Sequence, residues 1–491
     1  MKLSFPVRIY IVALVLRLIP VLLARGLGIG LDDMFQYDML ARSLASGNGF
    51  RWYAQDDLTL LASYVTFDLS TAKGYDPQLG LPTSFRAPLY PAFLALIYFV
   101  NGLDFSRFFA ARLAQAILLG APLAPLTYWV AKRLFLFPLS SEVKEERGKS
   151  VEKIAQVSAW GVACYPMLLV YPLGLGTENL FFILLLSSFL FLLKSLESPT
   201  VFCLLLSGFL FALTALTRSV ILPFIFLAFI ILFLYYRRRA FVFLFAFLAV
   251  VSPWVIRNTL LHQSLTGIET SLGYNLYLGY HPEGNGSFVF GPSLDLLTIM
   301  DDAERDRIGV QKASEFIKSK PERIIPLSVN RLGFFFGLEK RALMYFYSNN
   351  LIGFIPKPAL LSISAILLLP FAILSISAMF GLSLLRRDGK AILLLLLFAA
   401  YILPHVLILS EDRFHLALIP FFAILAANFW VNGAAGFSTR WRESGFGKLA
   451  VTFALLAFLL LLTNWGFELH RDADKIAALF GPDGNKTYFP Y

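Results

Sequence analysis

Long apolar segments recur along this chain, and they limit what it can fold into more than any other feature. Hydrophobic residues make up 58% of the 491 residues and charged residues only 15%, a balance that soluble globular domains do not show. Several of the segments are shorter than the ~20 residues that a helix needs to cross the hydrocarbon core, so their ends must draw on flanking residues. The sequence therefore predicts an all-α polytopic membrane protein with about 11 transmembrane helices. The predicted spans are Val7–Ala24, Phe108–Ala131, Ile154–Leu173, Leu180–Leu193, Val201–Thr217, Val220–Tyr236, Ala240–Ile256, Pro358–Leu385, Ala391–Ser410, Phe414–Trp430 and Leu449–Trp465.

One further apolar run, Ala87–Val100, would make a twelfth span, and the distribution of charge argues against its crossing. If it does not cross, nearly all basic residues of the short loops fall on the side of Lys2, as the positive-inside rule requires. These residues include Lys132, Arg133, Lys194, Arg237–Arg239, Arg386, Arg387, Lys390, Arg440, Arg442 and Lys448. The run is therefore predicted to be a re-entrant or partly embedded helix on the outer face. This layout places the N-terminus in the cytoplasm. The charged insert Glu142–Lys153 is interpreted as a solvated loop on the same side.

This layout predicts one membrane domain over residues 1–491 with three outer segments. The first outer loop, 25–107, carries amphipathic juxtamembrane helices, the second covers 257–357, and a tail covers 466–491. In the second loop a helix is predicted from Asp301 to Ser319, because Pro321 interrupts it. The loops resemble lids over a site at membrane level. The layout implies a plasma or inner membrane protein with its site on the outer face.

An amphipathic helix is predicted just beyond the first span, within Leu31–Phe50. Apolar side chains recur there at helical spacing, and Gly47 and Gly49 close the segment. Asp33 then lies at the start of the helix. The simpler interpretation of Asp33 is an N-cap, which an aspartate serves well. The alternative is a general base at the membrane surface.

Charged side chains near the membrane edge gather on the outer side. Carboxylates and arginines are costly near hydrocarbon, so such a group usually faces a cavity and pairs internally. These residues also have structural alternatives: Arg218 and Arg257 can mark helix ends, Glu178 can cap the fourth span, and Glu411-Asp412-Arg413 can be an internally neutralised turn. Arginine suits phosphate oxygens, and a hydroxyl nucleophile needs a carboxylate to take its proton. The group comprises Asp32, Asp33, Arg86, Glu178, Arg218, Arg257, Glu411, Asp412, Arg413 and His415.

Net charge and cysteine content add little about partners. The charge of +10 is what the topology of a membrane chain produces, so no nucleic-acid partner is expected. Cys164 and Cys203 lie in apolar segments and are interpreted as small hydrophobic residues. No zinc spacing or phosphate-binding glycine loop is found. No cofactor is expected to be required. Binding of a divalent metal ion by a pair of carboxylates remains an alternative.

The order of several short motifs resembles the GT-C superfamily of glycosyltransferases. Within it, the chain is similar to the protein O-mannosyltransferase-like branch (glycosyltransferase family 39-like) that includes bacterial aminoarabinose transferases. Departures are Met34, where glutamate is common, and Arg86-Ala87-Pro88, where the family has a basic residue followed by Pro-Pro. The motifs are Asp33 with Tyr37, Ala41, Leu44, Gly47, Gly49 and Phe50; Arg86–Pro91; Ala111–Leu113; Thr177-Glu178; Leu216–Arg218; Pro253–Asn258; Gly273–Asn275; and Arg413–His415.

The resemblance implies a GT-C fold and a sugar transfer on the outer face. A polyprenyl-phosphate-linked donor would give its hexose or pentose, with inversion, to a hydroxyl of a glycan, lipid or protein. Asp33 would be the general base and Glu178 would help orient acceptor or sugar. Arg86, with Arg413, would hold the lipid phosphate. Further candidate substrate-binding residues are Asp32, Tyr37, Tyr90, Arg218, Arg257, Tyr274 and Asn275.

Two other classes remain open from the sequence. A transporter or lipid-linked sugar flippase would line a path with charges at the membrane midplane. The charges here gather at one surface, which favours an enzyme. A non-catalytic membrane assembly protein that kept the fold is the third possibility.

Overall fold

The computed structural model describes residues 3–67, 69, 72, 74–135, 144–443 and 445–489, with no side-chain description for 144–147 and 434. The first two residues of the predicted insert 142–153 and the last two of the tail 466–491 lie outside this range. The described helices are α1 Phe5–Leu23, α2 Asp33–Ala45, α3 Gln55–Leu61, α4 Leu89–Asn101, α5 Ser106–Ala114, α6 Leu123–Phe135, α7 Lys144–Ala163, α8 Pro166–Val170, α9 Thr177–Glu197, α10 Val201–Thr217, α11 Leu222–Tyr236, α12 Ala240–His262, α13 Leu272–Tyr280, α14 Phe290–Asp295, α15 Asp302–Ser319, α16 Ile324–Phe335, α17 Arg341–Leu343, α18 Lys357–Ser383, α19 Gly389–Leu407, α20 Ile419–Glu443, α21 Gly445–Arg471 and α22 Ala473–Leu479.

Every one of the eleven predicted spans is helical, and the chain is a multi-pass membrane protein. By length and composition, eight of the described helical stretches can cross a membrane, or nine if α7 and α8, bent by 55°, form one span. The bend between α7 and α8 accounts for one of the three missing spans, and two further features account for the others. The helix α10 is short, and α11 and α12 continue through a 3-10 turn as one stretch of 44 residues.

The apolar run that was excluded from the spans forms the short helix α4. Its 13 residues rise about 20 Å, less than the ~30 Å of a hydrocarbon core. The charged insert differs from its prediction, because α7 begins at Lys144 and residues 144–153 of the insert form its first turns. Glu152 of this helix pairs with Lys132 at 2.9 Å and accepts from the Tyr128 hydroxyl at 2.8 Å. These contacts hold the charged turns against α6.

Basic residues assigned to the cytoplasmic loops meet at one end of the helices. The ammonium of Lys390 contacts Glu197 at 2.7 Å and the carbonyl oxygen of Arg133 at 2.6 Å, and Arg133 also pairs with Glu197. The loops after α6, α9 and α18 therefore share one end of the bundle. Which side of the membrane this end faces stays a prediction.

The first outer segment packs as small helices on the opposite end. The ring of Tyr37 on α2 meets Tyr90 on α4 edge to face at 5.2 Å, and Ala41 is fully buried in the same cluster. A two-residue strand β1, Arg51–Trp52, pairs antiparallel with β2, Leu81–Pro82. Gly80 precedes β2 with φ of +79°, and a Cβ there would lie 2.3 Å from the Trp52 carbonyl oxygen. This turn therefore requires glycine.

The helix predicted from Asp301 to Ser319 is α15, in the second outer segment. Asp301 is its N-cap, and its carboxylate accepts from the backbone N–H of Glu304 at 3.0 Å. Asp302, the first residue, accepts from the Thr83 hydroxyl at 2.6 Å and the Ser84 N–H at 2.8 Å. The two outer segments are therefore joined directly behind β2.

Candidate active site

The two adjacent aspartates at the start of α2 have different roles. Asp32 is the N-cap, since its carboxylate accepts from the backbone N–H of Met34 at 2.8 Å. Asp33 is the first residue of the helix. The simpler interpretation, in which Asp33 is the cap, is therefore wrong by one residue. The carboxylate of Asp33 is directed to other partners.

Two guanidinium groups from distant parts of the chain contact the Asp33 carboxylate. Arg86 pairs with Oδ1, and Nη2 of Arg413 lies 3.2 Å from Oδ2. The side chain of Asp33 is 36% exposed, and it lines a cavity. The structure therefore brings together one accessible carboxylate and two cations that are 53 and 380 residues away in sequence.

Arg86 is held by the segment that follows β2. Its Nε donates to Oε1 of Gln36 at 2.8 Å, and its guanidinium lies 5.2 Å from the Tyr37 ring and 5.1 Å from the Phe85 ring. Gln36 lies three residues after Asp33, on the same face of α2. Arg86 is thus placed by α2 on one side and by the β2 segment on the other.

A second set of charges extends the site from Arg413. Its Nε lies 2.8 Å from Glu411 and 3.9 Å from Glu178. Glu178, in the first turn of α9, pairs with Arg218 at 2.7 Å. Arg341 pairs with Glu411 at 2.9 Å. Arg413 therefore stands at the centre of a network in which cations and carboxylates alternate.

These groups line one cavity with a volume of about 1770 Å³. Its wall combines the charged network with many apolar side chains, and both outer segments and several span ends contribute to it. A further charged group also lies on the wall, namely Lys340, Glu468, Arg471, Asp472 and Lys475. A volume of this size exceeds the range typical of small-molecule sites. Of the predicted site residues, Asp32, Asp33, Tyr37, Arg86, Glu178, Arg218, Tyr274, Asn275 and Arg413 lie on this wall.

Electrostatics keep the Asp33 carboxyl ionised. Burial acts to raise its pKa, but the positive charges of Arg86 and Arg413 outweigh burial and hold the pKa below its ordinary value of 3.8. Burial acts to lower the pKa of Arg86, and the Asp33 carboxylate reverses this and raises it. Burial, with the neighbouring Asp33 charge, raises the pKa of Asp32. Burial also raises the pKa of Tyr37 to about 12.

Two predicted site residues are not on the cavity wall. Tyr90 is completely buried, and its hydroxyl donates to Oε1 of Gln115 at 2.7 Å. Arg257 donates to the carbonyl oxygen of Thr83 at 2.5 Å, and its guanidinium lies 4.9 Å from the Trp254 ring. Both side chains brace the walls behind the site. Arg257 does not mark a helix end, because α12 continues to His262, so that structural alternative is wrong, and substrate binding by Arg257 stays a prediction.

The sequence did not single out Gln36, Lys340 or Arg341, which lie on the cavity wall. Gln36 could have been found from its spacing of three residues from Asp33. Lys340 and Arg341 follow Glu339 in a charged triplet between two aromatic stretches. Charges between such stretches in a membrane protein indicate a polar interior.

No gathering of three or more His, Cys, Asp or Glu side chains that could hold a metal ion occurs within the described ranges. Asp32 and Asp33 are adjacent, but one caps α2 and the other pairs with two arginines. The expectation about cofactors and metals therefore stays a prediction.

Comparisons with known proteins give similarity to solved structures but no match among family models or curated proteins. Among solved structures, the crystal structure of ArnT from Cupriavidus metallidurans bound to undecaprenyl phosphate aligns with 88% of this chain and 79% of that chain. The identity is 14% and the TM-score is 0.38. These values do not establish a shared activity.

Proposed function

We propose that the protein is a membrane glycosyltransferase of the GT-C type that uses a polyprenyl-phosphate-linked sugar as donor. The observation that carries this proposal is the accessible Asp33 carboxylate between Arg86 and Arg413 in a large cavity. A carboxylate can take a proton from a hydroxyl, and a pair of arginines can hold a phosphate. The motifs that resemble the GT-C superfamily fall on these same residues.

The proposed reaction is a single displacement with inversion. The acceptor hydroxyl oxygen attacks the anomeric carbon and forms the new glycosidic bond, while Asp33 takes the hydroxyl proton. The bond between the anomeric carbon and the phosphate oxygen breaks, and that oxygen keeps the electron pair. Arg86 and Arg413 stabilise the negative charge that develops on the lipid phosphate. Glu178, which is paired with Arg218, orients the acceptor or the sugar.

The two arginines affect how strong a base Asp33 is, and binding of the lipid donor changes this effect. In the free protein they hold the pKa of Asp33 low, and a carboxylate with a low pKa is a weak base. When a lipid phosphate enters the cavity, it competes with Asp33 for the same two guanidinium groups. Asp33 then loses its counter-charges and gains an anionic neighbour, both of which raise its pKa. Donor binding thus makes Asp33 a better base for the acceptor hydroxyl.

The placement of the charges favours an enzyme over a transporter or flippase. Glu178 lies in the first turn of α9, Arg218 directly follows α10, and Arg413 precedes α20. All three therefore lie at helix ends. A translocation path needs polar groups near the middle of the spans. We accordingly place the site at the outer membrane surface, as the charge distribution of the loops predicts.

The test compares envelope glycans and membrane lipids by mass spectrometry after deletion of the gene. Complementation with the wild-type protein should restore the glycosylated species that deletion removes, and Asp33→Asn should not restore it at equal expression. Asp56→Asn, at an exposed carboxylate of the same outer segment, is the matched control and should restore it. Restoration by Asp33→Asn would remove Asp33 from the mechanism. Movement of a polyprenyl phosphate across vesicles without covalent transfer would favour the flippase.

A further inference from the structure

Directly behind the site, a histidine and a glutamate form a buried pair that the proposed reaction does not use. His415 is completely buried, and Glu339 is 2% exposed. Nε2 of His415 lies 3.0 Å from Oε1 of Glu339, and the Tyr165 hydroxyl donates to the same oxygen at 2.6 Å. Polar groups this deep in an apolar protein are costly unless they are well paired. A buried pair of this kind therefore indicates a specific role in the structure.

Both ring nitrogens of His415 have a polar partner. Its Nδ1 lies 2.6 Å from the backbone carbonyl oxygen of Phe335, which is one of the carbonyls that the last turn of α16 leaves without a helical partner. A carbonyl and a carboxylate both accept, whereas a neutral imidazole has a single N–H to donate. Each ring nitrogen of His415 therefore faces an acceptor, one on α16 and one on the Glu339 side chain.

The pair connects the two segments that carry the charges of the site. His415 belongs to the 3-10 turn Asp412–Leu418, two residues after Arg413. Glu339 precedes Arg341 by two residues, and both Arg341 and Arg413 contact Glu411. The contact from His415 to Glu339 thus sets the distance between the two segments on the side away from the cavity.

Packing holds the ring in the one orientation that allows both hydrogen bonds. Phe371 of α18 stacks on the His415 ring at 4.0 Å with an interplanar angle of 11°. The turn itself is further held by the Tyr401 hydroxyl, which donates to the carbonyl oxygen of Phe414 at 3.1 Å. His415 is the side chain that joins this turn to α16, α18 and the Glu339 segment together.

We propose that His415 and Glu339 are positioning residues for Arg413. By locking the turn Asp412–Leu418 to the segment Glu339–Arg341, they hold Arg413 where its guanidinium faces both Asp33 and an incoming lipid phosphate. This inference rests on the proposed function, because it takes Arg413 to be a phosphate ligand. Neither residue touches the substrate.

The experiment measures binding of undecaprenyl phosphate to the purified full-length protein in lipid nanodiscs. His415→Phe keeps the ring against Phe371 and removes both polar contacts. We expect its dissociation constant to rise about tenfold, the size of one displaced charge-assisted hydrogen bond. His415→Gln can keep one of the two hydrogen bonds and should raise the constant about threefold. If His415→Phe does not fold, the dissociation constant of His415→Gln tests the inference instead.

A matched control separates positioning from general loss of stability. Leu232→Ala removes a fully buried side chain of α11 and should lower the melting temperature without changing lipid phosphate binding. Because His415 and Glu339 act as a unit, the double variant of His415→Phe with Glu339→Gln should bind no more weakly than His415→Phe alone. Wild-type binding by His415→Phe, or additive losses in the double variant, would overturn the inference.

Arg413→Ala distinguishes this inference from the proposed function. If wild-type protein fails to bind undecaprenyl phosphate, or if Arg413→Ala binds it as tightly as wild type, the proposed function is contradicted and the inference falls with it. If Arg413→Ala weakens binding and His415→Phe does not, only the positioning role of the pair is contradicted.

Discussion

Two aspartates on the same helix, Asp33 and Asp38, each lie between two arginines, and their surroundings differ. Asp38 is 1% exposed and accepts from Arg42 at 2.8 Å, from Arg107 at 2.8 and 3.0 Å, and from the Tyr98 hydroxyl at 3.0 Å. Asp33 also has two cationic partners, but it is 36% exposed and faces a cavity. The same residue types on one helix thus form a closed cluster and an open one.

The difference shows that pairing alone does not indicate a functional carboxylate. The carboxylate oxygens of Asp38 accept hydrogen bonds from four donors, and a ligand cannot reach them. These contacts therefore stabilise the packing of α2, α4 and α5. Asp33 has partners that an anion entering the cavity can take over. An ion pair that can exchange partners is suited to binding and catalysis, and a saturated buried one to structure. Substitutions at the two aspartates and at their arginine partners test this contrast.

The largest effect is expected for Asp33→Asn. Because the amide cannot take the acceptor proton, kcat for glycosyl transfer should fall about 10²- to 10⁴-fold. The melting temperature should stay close to that of wild type, since Asp33 does not cap α2. The measurement is a transfer assay on purified protein together with a thermal melt. A large drop in melting temperature would place Asp33 with Asp38 as a structural residue.

Asp38→Asn should show the opposite pattern. It leaves Arg42 and Arg107 without their shared carboxylate, and breaking a buried pair typically costs about 3 kcal/mol of unfolding free energy. We expect a lower melting temperature, with kcat per folded molecule unchanged. Thermal melts and activity normalised to folded protein check this. A selective loss of kcat at normal stability would contradict the structural role of Asp38.

Arg86→Ala should weaken donor binding more than it disturbs the fold. Loss of one charge-assisted contact to phosphate corresponds to roughly a 10- to 100-fold rise in the KM for the lipid donor. Arg107→Ala is the comparison at the closed cluster and should lower stability without raising the KM. Steady-state kinetics on both variants decide between these outcomes, and an unchanged KM in Arg86→Ala would exclude its phosphate role.

The smallest effect concerns pH. The positive charges of Arg86 and Arg413 outweigh burial and lower the pKa of Asp33 in the free protein, so the base stays ionised and kcat/KM should hold as pH falls to below the ordinary carboxyl range. With donor bound, the pKa rises, so kcat should begin to fall at a higher pH than kcat/KM does. Arg413→Ala should shift the acid limb of kcat/KM to higher pH. Identical acid limbs for the two parameters would contradict the exchange of arginines.

Part of the site was predictable because it depends on local pattern and on the cost of charge near hydrocarbon. The helical spacing around Asp33 predicted α2, and the edge charges indicated Arg86, Glu178 and Arg413. The assignment of the cap was wrong by one residue, because Asp32 and Asp33 satisfy the same sequence rule and only backbone geometry separates them. Arg257 shows the converse limit, since its position at the end of an apolar segment does not reveal that it turns to the Thr83 carbonyl.

The amino-acid sequence by itself determined that the chain is helical and crosses a membrane, because the length and apolarity of a segment fix its preference for the bilayer wherever the neighbouring segments lie. The tertiary structure alone decided which charges meet. Arg86 and Arg413 reach Asp33 across 53 and 380 residues, and His415 meets Glu339 across 76. Such contacts depend on how helices pack against each other, and no local pattern encodes that.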